Sequence, residues 1–288
     1  MSDKFLNTLS GVHVVHYSDL SPEEKLINLW NNIVREGFGY LPSMLGDSYV
    51  PNAILVDLDS CLSILTSSPL PESKEEKIVI IRNTAESIAR FLDQWKNLSQ
   101  VYIYHSFKPT TAFSRCIPDW DIKRNARLTP EIQEIIQTQL IGRLKRIELK
   151  NIHLVECDDS PIISIKKDIP LYTTEDGEDC LVVSRDVHYQ CLFYHYRYMS
   201  LYNGRQVLDK ESFGKMPGYP QVSYRMLPYY YCLVGLERHN FKGKLRVGPQ
   251  KATKYVNDNI IDIYKGNNET FNEEPLRSYL KVLLLQEY

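Results

Sequence analysis

The chain has 288 residues, 43% hydrophobic, 24% charged and 11% aromatic, which excludes a disordered, collagen-like or low-complexity protein. With 34 Lys and Arg against 36 Asp and Glu, the net charge of −2 argues neither for nor against a nucleic-acid partner, so the local distribution has to decide. No apolar window reaches the roughly 18 residues of a membrane span, and the first residues lack the basic-then-apolar pattern of a secretion signal.

In chain order, residues 1–50 read as an extension carrying one helix, started by Ser21-Pro22-Glu23-Glu24 with proline at N1 and acids in the first turn. Residues 1–60 hold eight acids and three bases. Ala53–Asp57 is a short, continuous apolar run, the pattern of a buried parallel strand. An amphipathic helix over 75–97, a strand at Val101–Tyr104, a helix over 130–150, and strands at Ile152–Val155 and Cys180–Ser184 follow. Strands alternating with helices predict a parallel sheet with right-handed crossovers. The last third reads as mostly helical, ending in Pro275–Tyr288. The expected organisation is an extension (1–50), an α/β core (51–200) and a helical subdomain (201–288).

Three of the four predicted strands end in acids. Asp57 closes the first, with Asp59 just beyond; the third runs into Glu156-Cys157-Asp158-Asp159; the fourth leads through Ser184-Arg185 to Asp186. In a parallel sheet these strand ends share the edge where ligands bind. Carboxylates gathered there repel unless a cation neutralises them, and hard oxygen donors suit Mg²⁺ or Mn²⁺. The chemistry that uses such a cluster is phosphodiester hydrolysis. Each acid also has a plain structural reading as a helix N-cap.

Between Arg238 and Lys254 there are six bases and no acid. Within that run, Gly243-Lys244-Leu245-Arg246-Val247-Gly248-Pro249-Gln250-Lys251 sets two glycines before a proline-started helix. Tight backbone turns, free helix N–H groups and flanking bases fit a helix–hairpin–helix that grips a duplex backbone without reading its sequence. The alternative is a solvated basic corner. The tyrosine clusters Tyr194–Tyr198 and Tyr229–Tyr231 read first as half-buried structural residues, and second as stacking platforms. The six cysteines show no CxxC spacing and read as reduced thiols of a cytoplasmic protein.

The order of these motifs resembles the 5′-nuclease superfamily of flap endonucleases and phage-type 5′→3′ exonucleases. The resemblance runs from about residue 53 to about 256. Ala53–Asp59 (AILVDLD) resembles the first strand and its metal-binding Asp; Glu156–Asp159 (ECDD) resembles Glu-x-Asp-Asp; Leu181–Leu192 (LVVSRDVHYQCL) resembles a strand ending in Ser-x-Asp-x-Asp. Phe113–Arg127 (FSRCIPDWDIKRNAR) resembles the segment that approaches the scissile phosphate, and Gly235–Val256 resembles the helical clamp.

What the resemblance implies is a PIN-like α/β fold, a mostly parallel sheet flanked by helices, with a C-terminal helix–hairpin–helix subdomain. It implies metal ligation by Asp57, Glu156, Asp158, Asp159 and Asp186, and phosphate steering by Lys123, Arg124 and Arg127 with Trp120 beside them. It implies duplex binding by Gly243, Lys244, Arg246, Gly248 and Lys251. Some expected acids are missing. His105 stands near the end of the second strand, His188 replaces the second Asp of Ser-x-Asp-x-Asp, Leu236 follows Gly235, and His239 stands at the next expected Asp. The surviving acids suffice for one Mg²⁺ or Mn²⁺ site rather than two. Two readings stay open: a metal-dependent nuclease on branched or 5′-ended nucleic acid, DNA ahead of RNA, or a lapsed member that binds nucleic acid or serves as a scaffold, with a protein partner on residues 1–50. Richness in Ile, Asn, Lys and Tyr fits an AT-rich, viral or phage source.

Overall fold

The computed structural model describes residues 51–62, 70–95, 100–147, 150–177 and 179–286, together with Ser21 and Asn28. The helix expected to start near Ser21 and the rest of the 1–50 extension otherwise lie outside the described residues.

Six strands form one sheet in the order β3-β2-β1-β4-β5-β6. They are β1 (Ala53–Asp57), β2 (Gln100–His105), β3 (Ile152–Glu156), β4 (Cys180–Val183), β5 (Ser200–Tyr202) and β6 (Val207–Leu208). All neighbours run parallel except β5 and β6. β1 lies at the centre, and every one of its residues is buried, which is why it reads as an unbroken apolar run. Alternate side chains serve two cores. Ile54 and Val56 pack on one face with Val101, Ile103 and helix α1 (Lys74–Trp95); Ala53 and Leu55 pack on the other with Tyr104, Ile165 and Phe193. β3 is an edge strand whose residues are half-buried or, at His153 and Glu156, exposed.

The chain leaves β1 toward β2 and β3, then crosses back to β4 on the other side of β1. That reversal makes the carboxyl ends of β1 and β4 the switch point, where an open α/β sheet forms its crevice. The register fixes who stands there: Val56 pairs with Val183, so Asp57 and Ser184 are the next residues on adjacent strands.

The four predicted strands and the helix after the first are present. The helix predicted over 130–150 is Pro130–Leu144, capped by Thr129 with proline at its start, and it passes through a π-helical stretch at Ile136–Ile141. Two differences stand out. The sheet continues beyond residue 200 through β5 and β6, which are three and two residues long and carry too short a pattern to read. The apolar segment after β4 forms a 3₁₀-helix, Val187–Tyr194, whose start Asp186 caps by accepting from the His188 N–H at 2.9 Å. Tyr230 and Tyr231 are buried and the Tyr231 hydroxyl donates to Gln190, so that tyrosine cluster is structural. All six cysteines are free thiols. Among the described residues no helix is long and apolar enough to cross a membrane.

Candidate functional site

A cleft of about 460 Å³ opens at the carboxyl ends of β1 and β4. Asp57, Asp59 and Asp186 line it from the sheet. Lys123, Arg124 and Arg127 reach it from helix α2 (Ile122–Arg127), and Glu237, Arg238 and His239 from a 3₁₀ turn that follows helix α3 (Leu227–Val234). The structure therefore brings two of the five expected metal ligands and all three expected phosphate-steering bases to one place.

The other three acids stand elsewhere. Glu156 is exposed at the end of β3 and pairs with Lys108 Nζ at 3.2 Å, which lowers its carboxyl from the ordinary range. Asp158 is exposed. Asp159 accepts from the N–H groups of Thr111 at 3.0 Å and Ala112 at 2.8 Å, and so closes the loop after β2 on a different depression. The segment after β3 reaches the cleft only at Ser160–Ile162, one residue past Asp159.

Four of the five carboxylates that line the cleft are engaged by protein groups, and the fifth, Glu237, is exposed at its rim. Asp57 caps the short helix after β1, accepting from the Ser60 N–H at 3.0 Å. The Ser60 and Ser184 hydroxyls share a 2.8 Å hydrogen bond that ties β1 to β4. Burial, reinforced by the negative charge of Asp59, pushes the Asp57 carboxyl up to about 7. Asp59 accepts from the N–H groups of Ser106 at 3.0 Å and Phe107 at 2.9 Å, and takes an ion pair from Arg124 Nη2 at 2.8 Å. Arg124 is further fixed on the Lys108 carbonyl at 2.9 Å and the Thr110 hydroxyl at 2.7 Å. Arg124 thus differs from its expected role: it is a structural tie, while Lys123 and Arg127 are exposed and make no ion pair among the described residues.

The centre of the cleft is a residue that sequence reading placed only as a departure. His239 is buried between two carboxylates, Nδ1 against Asp121 Oδ1 and Nε2 at 2.8 Å from Asp186 Oδ2. Its ring lies flat on Trp120, centroids 4.3 Å apart at 7°. Burial alone would lower its basicity, but Asp186 and Asp121 outweigh burial and raise it to about 9. Burial likewise opposes the charged form of Asp186, yet His239 and Arg238 hold that carboxyl well below its usual range. His188 is different: burial pushes it down to about 4, and its Nε2 faces the Val282 carbonyl at 3.2 Å. Asp121 was missed. Its signal is an acid set inside the basic segment Trp120–Arg127.

These donors do not fit a divalent ion as they stand. The oxygens of Asp57, Asp59, Asp121 and Asp186 already accept from N–H, O–H or guanidinium groups, Glu237 is exposed at the rim, and no three His, Cys, Asp or Glu side chains among the described residues form a group arranged to hold a metal.

The glycine hairpin divides in two. Gly243 has φ +65°, and a Cβ there would meet the Leu233 carbonyl oxygen at 2.4 Å, so this glycine packs the hairpin onto the end of α3. Gly248 is open, preceding helix α4 (Pro249–Asp258) with no side-chain cap, and Lys244, Arg246 and Lys251 are exposed around it.

A central, mostly parallel sheet flanked by helices, with a cleft at its β1–β4 crevice, is the α/β architecture that the sequence led one to expect. Comparison with solved structures bears this out. A bacteriophage T5 flap endonuclease, described as a pseudo-enzyme–product complex with DNA and metal ions, matches with TM-score 0.53 and 13% identity over 81% of this chain and 89% of that one. The T5 5′-exonuclease with bound zinc matches with TM-score 0.55 and 13% identity over the same shares. The T5 protein co-crystallised with metal ions matches with TM-score 0.52 and 16% identity, again over 81% and 89%. No protein-family model matches the chain, and no curated protein matches it in sequence. At these identities the likeness is one of fold, which the chain shares with these T5 nucleases.

Proposed function

We propose that this protein binds branched or 5′-ended nucleic acid, DNA ahead of RNA, with the phosphate backbone seated over the β1–β4 cleft. The observation that carries this reading is the separation of charge in the cleft. Asp59, Asp121 and Asp186 are neutralised from within by Arg124 and His239, while three exposed bases, Lys123, Arg127 and Arg238, stand around the cleft against one exposed acid, Glu237. A phosphate meets cations at the rim, above acids that protein groups already hold. The exposed bases of the Gly243–Lys251 hairpin add a second, sequence-independent grip of the helix–hairpin–helix kind. The DNA complex of the T5 flap endonuclease supports nucleic acid as the ligand of this fold.

Binding without cleavage stands first, because the acids that hydrolysis needs are held by protein partners. Metal-dependent phosphodiester hydrolysis, with Mg²⁺ or Mn²⁺ at one site rather than two, is the second reading. The metal-bound state of the T5 proteins favours it.

The test is a gel shift of labelled 5′-flap, blunt and single-stranded substrates in EDTA, beside cleavage of the flap in Mg²⁺ and Mn²⁺. Flap binding in EDTA without cutting in either metal supports the first reading. Metal-dependent cutting that Asp186→Asn abolishes moves the account to the second. Absence of binding to all three substrates overturns both.

A further inference from the structure

A divalent cation at a sheet edge is held by carboxylate oxygens that converge on one point with no other donor between them. Between Asp121 and Asp186 that point is filled by a side chain of the protein itself. Nε2 of His239 lies 3.0 and 2.8 Å from the two Asp186 oxygens, and Nδ1 faces Asp121 from the opposite edge of the ring. An ionised carboxylate only accepts, so a ring with carboxylates at both nitrogens donates at both and is an imidazolium.

The ring is also held in place. Trp120 covers one face, and His188 meets it edge-on at 6.0 Å. The Asp121 N–H donates to the His239 carbonyl at 3.4 Å, which joins the two backbones beside the ion pair. Leu236 and Phe241 form an antiparallel bridge across the turn that carries the histidine. The turn thereby delivers a positive charge to the sheet edge as part of the fold.

We propose that the His239 imidazolium is a tethered cation that takes the place of a divalent ion between Asp121 and Asp186, so that the cleft receives a nucleic-acid phosphate without metal. The phosphate half of this statement rests on the binding reading above; the cation half does not. The same arrangement explains why acids at the β4 end coexist with a rim built to attract anions: their charge is already answered from inside the protein.

The deciding experiment counts bound Mn²⁺ by electron paramagnetic resonance and follows Tm with and without Mn²⁺. It compares the wild type with His239→Asp, which places a third carboxylate at the point, and with His239→Gln, which removes the charge at similar volume. The wild type is expected to take up no Mn²⁺ in the cleft and to keep its Tm. His239→Asp is expected to gain about one Mn²⁺, at least roughly tenfold tighter than any wild-type binding, with a Tm that rises on adding the ion. If His239→Asp does not fold, His239→Gln carries the test, with a weaker gain in the same direction. Wild-type uptake of Mn²⁺ as tight as in the variants overturns the proposal, as does failure of the folded variants to gain any. Flap-duplex affinity is read in parallel. Equal wild-type affinity in EDTA and Mn²⁺ supports the metal-free site, and affinity that rises with Mn²⁺ contradicts it. Absence of flap binding in both overturns the binding reading alone, and the Mn²⁺ count still decides the cation.

Discussion

His239 and Asp186 meet across 53 residues of sequence, Nε2 against carboxylate, at the crevice where β1 and β4 end. Removing one partner of such a pair leaves a buried charge unanswered, a loss of about 3–5 kcal/mol by analogy with other buried pairs. His239→Ala is expected to destabilise by an amount of that order, since it strands both Asp186 and Asp121. In a double-mutant cycle by chemical denaturation, Asp186→Asn should recover part of the loss, about 1 kcal/mol or more. Strictly additive effects would show that the pair is not coupled.

The same pair sets a pH dependence. His239 is raised from its ordinary value near 6.5 to about 9. Its stabilising contribution is therefore complete below pH 6.5 and is lost as pH rises through about 9. Asp57 is raised from 3.8 to about 7, so the fold favours its protonated form, and the ionised form becomes costly between those values. Below about pH 6.5 the Asp57 slope is opposed by His188, which burial holds down to about 4, so the fall in denaturation midpoints is read from about pH 6.5 toward about pH 9, with His239→Gln flattening it. A wild-type stability that climbs from pH 6.5 to 9 would run against this assignment.

The three bases of α2 should separate by role. Arg124→Ala breaks the pair to the buried Asp59 and the bonds to Lys108 and Thr110, and a cost of about 2–4 kcal/mol is expected. Lys123→Ala and Arg127→Ala remove exposed side chains and should leave stability within about 0.5 kcal/mol. They should instead weaken nucleic-acid binding for every sequence alike. Denaturation and affinity measured on the same three variants check the split.

The hairpin glycines make a similar contrast. Gly243→Ala puts a Cβ 2.4 Å from the Leu233 carbonyl oxygen and 2.5 Å from the Gly235 nitrogen at a positive φ, so it should cost about 2 kcal/mol or more. Gly248→Ala meets nothing within 4 Å and should cost only about 0.5–1 kcal/mol, for the poorer N-cap of α4. Thermal melts of both variants read the difference.

Much of this was visible in the residues alone. β1 declared itself because a central parallel strand is apolar throughout, and the acids after β1 and β4 marked the crevice before any strand order was known. The limits have physical causes. β5 and β6 are too short to carry a period. Glu156, Asp158 and Asp159 look like cleft acids in sequence, but Glu156 pairs with Lys108 and Asp159 holds the loop after β2, partners the sequence does not show. His239 was legible as a histidine where an acid was expected. Its partners were not, because Asp121 is 118 residues away and was hidden among the bases of α2. Arg124 read as a phosphate ligand because sequence shows charge and not the acid that already holds it.

The most direct test of the central claim is fluorescence anisotropy of a labelled 5′-flap duplex titrated with the wild-type protein in EDTA across a salt series, beside Lys123→Ala/Arg127→Ala. The account predicts saturable binding without metal, affinity that falls steeply with salt, and a salt slope smaller by roughly two in the double variant, about one for each phosphate left without its base. Binding that requires a divalent ion, or a slope unchanged when both bases are removed, would contradict it.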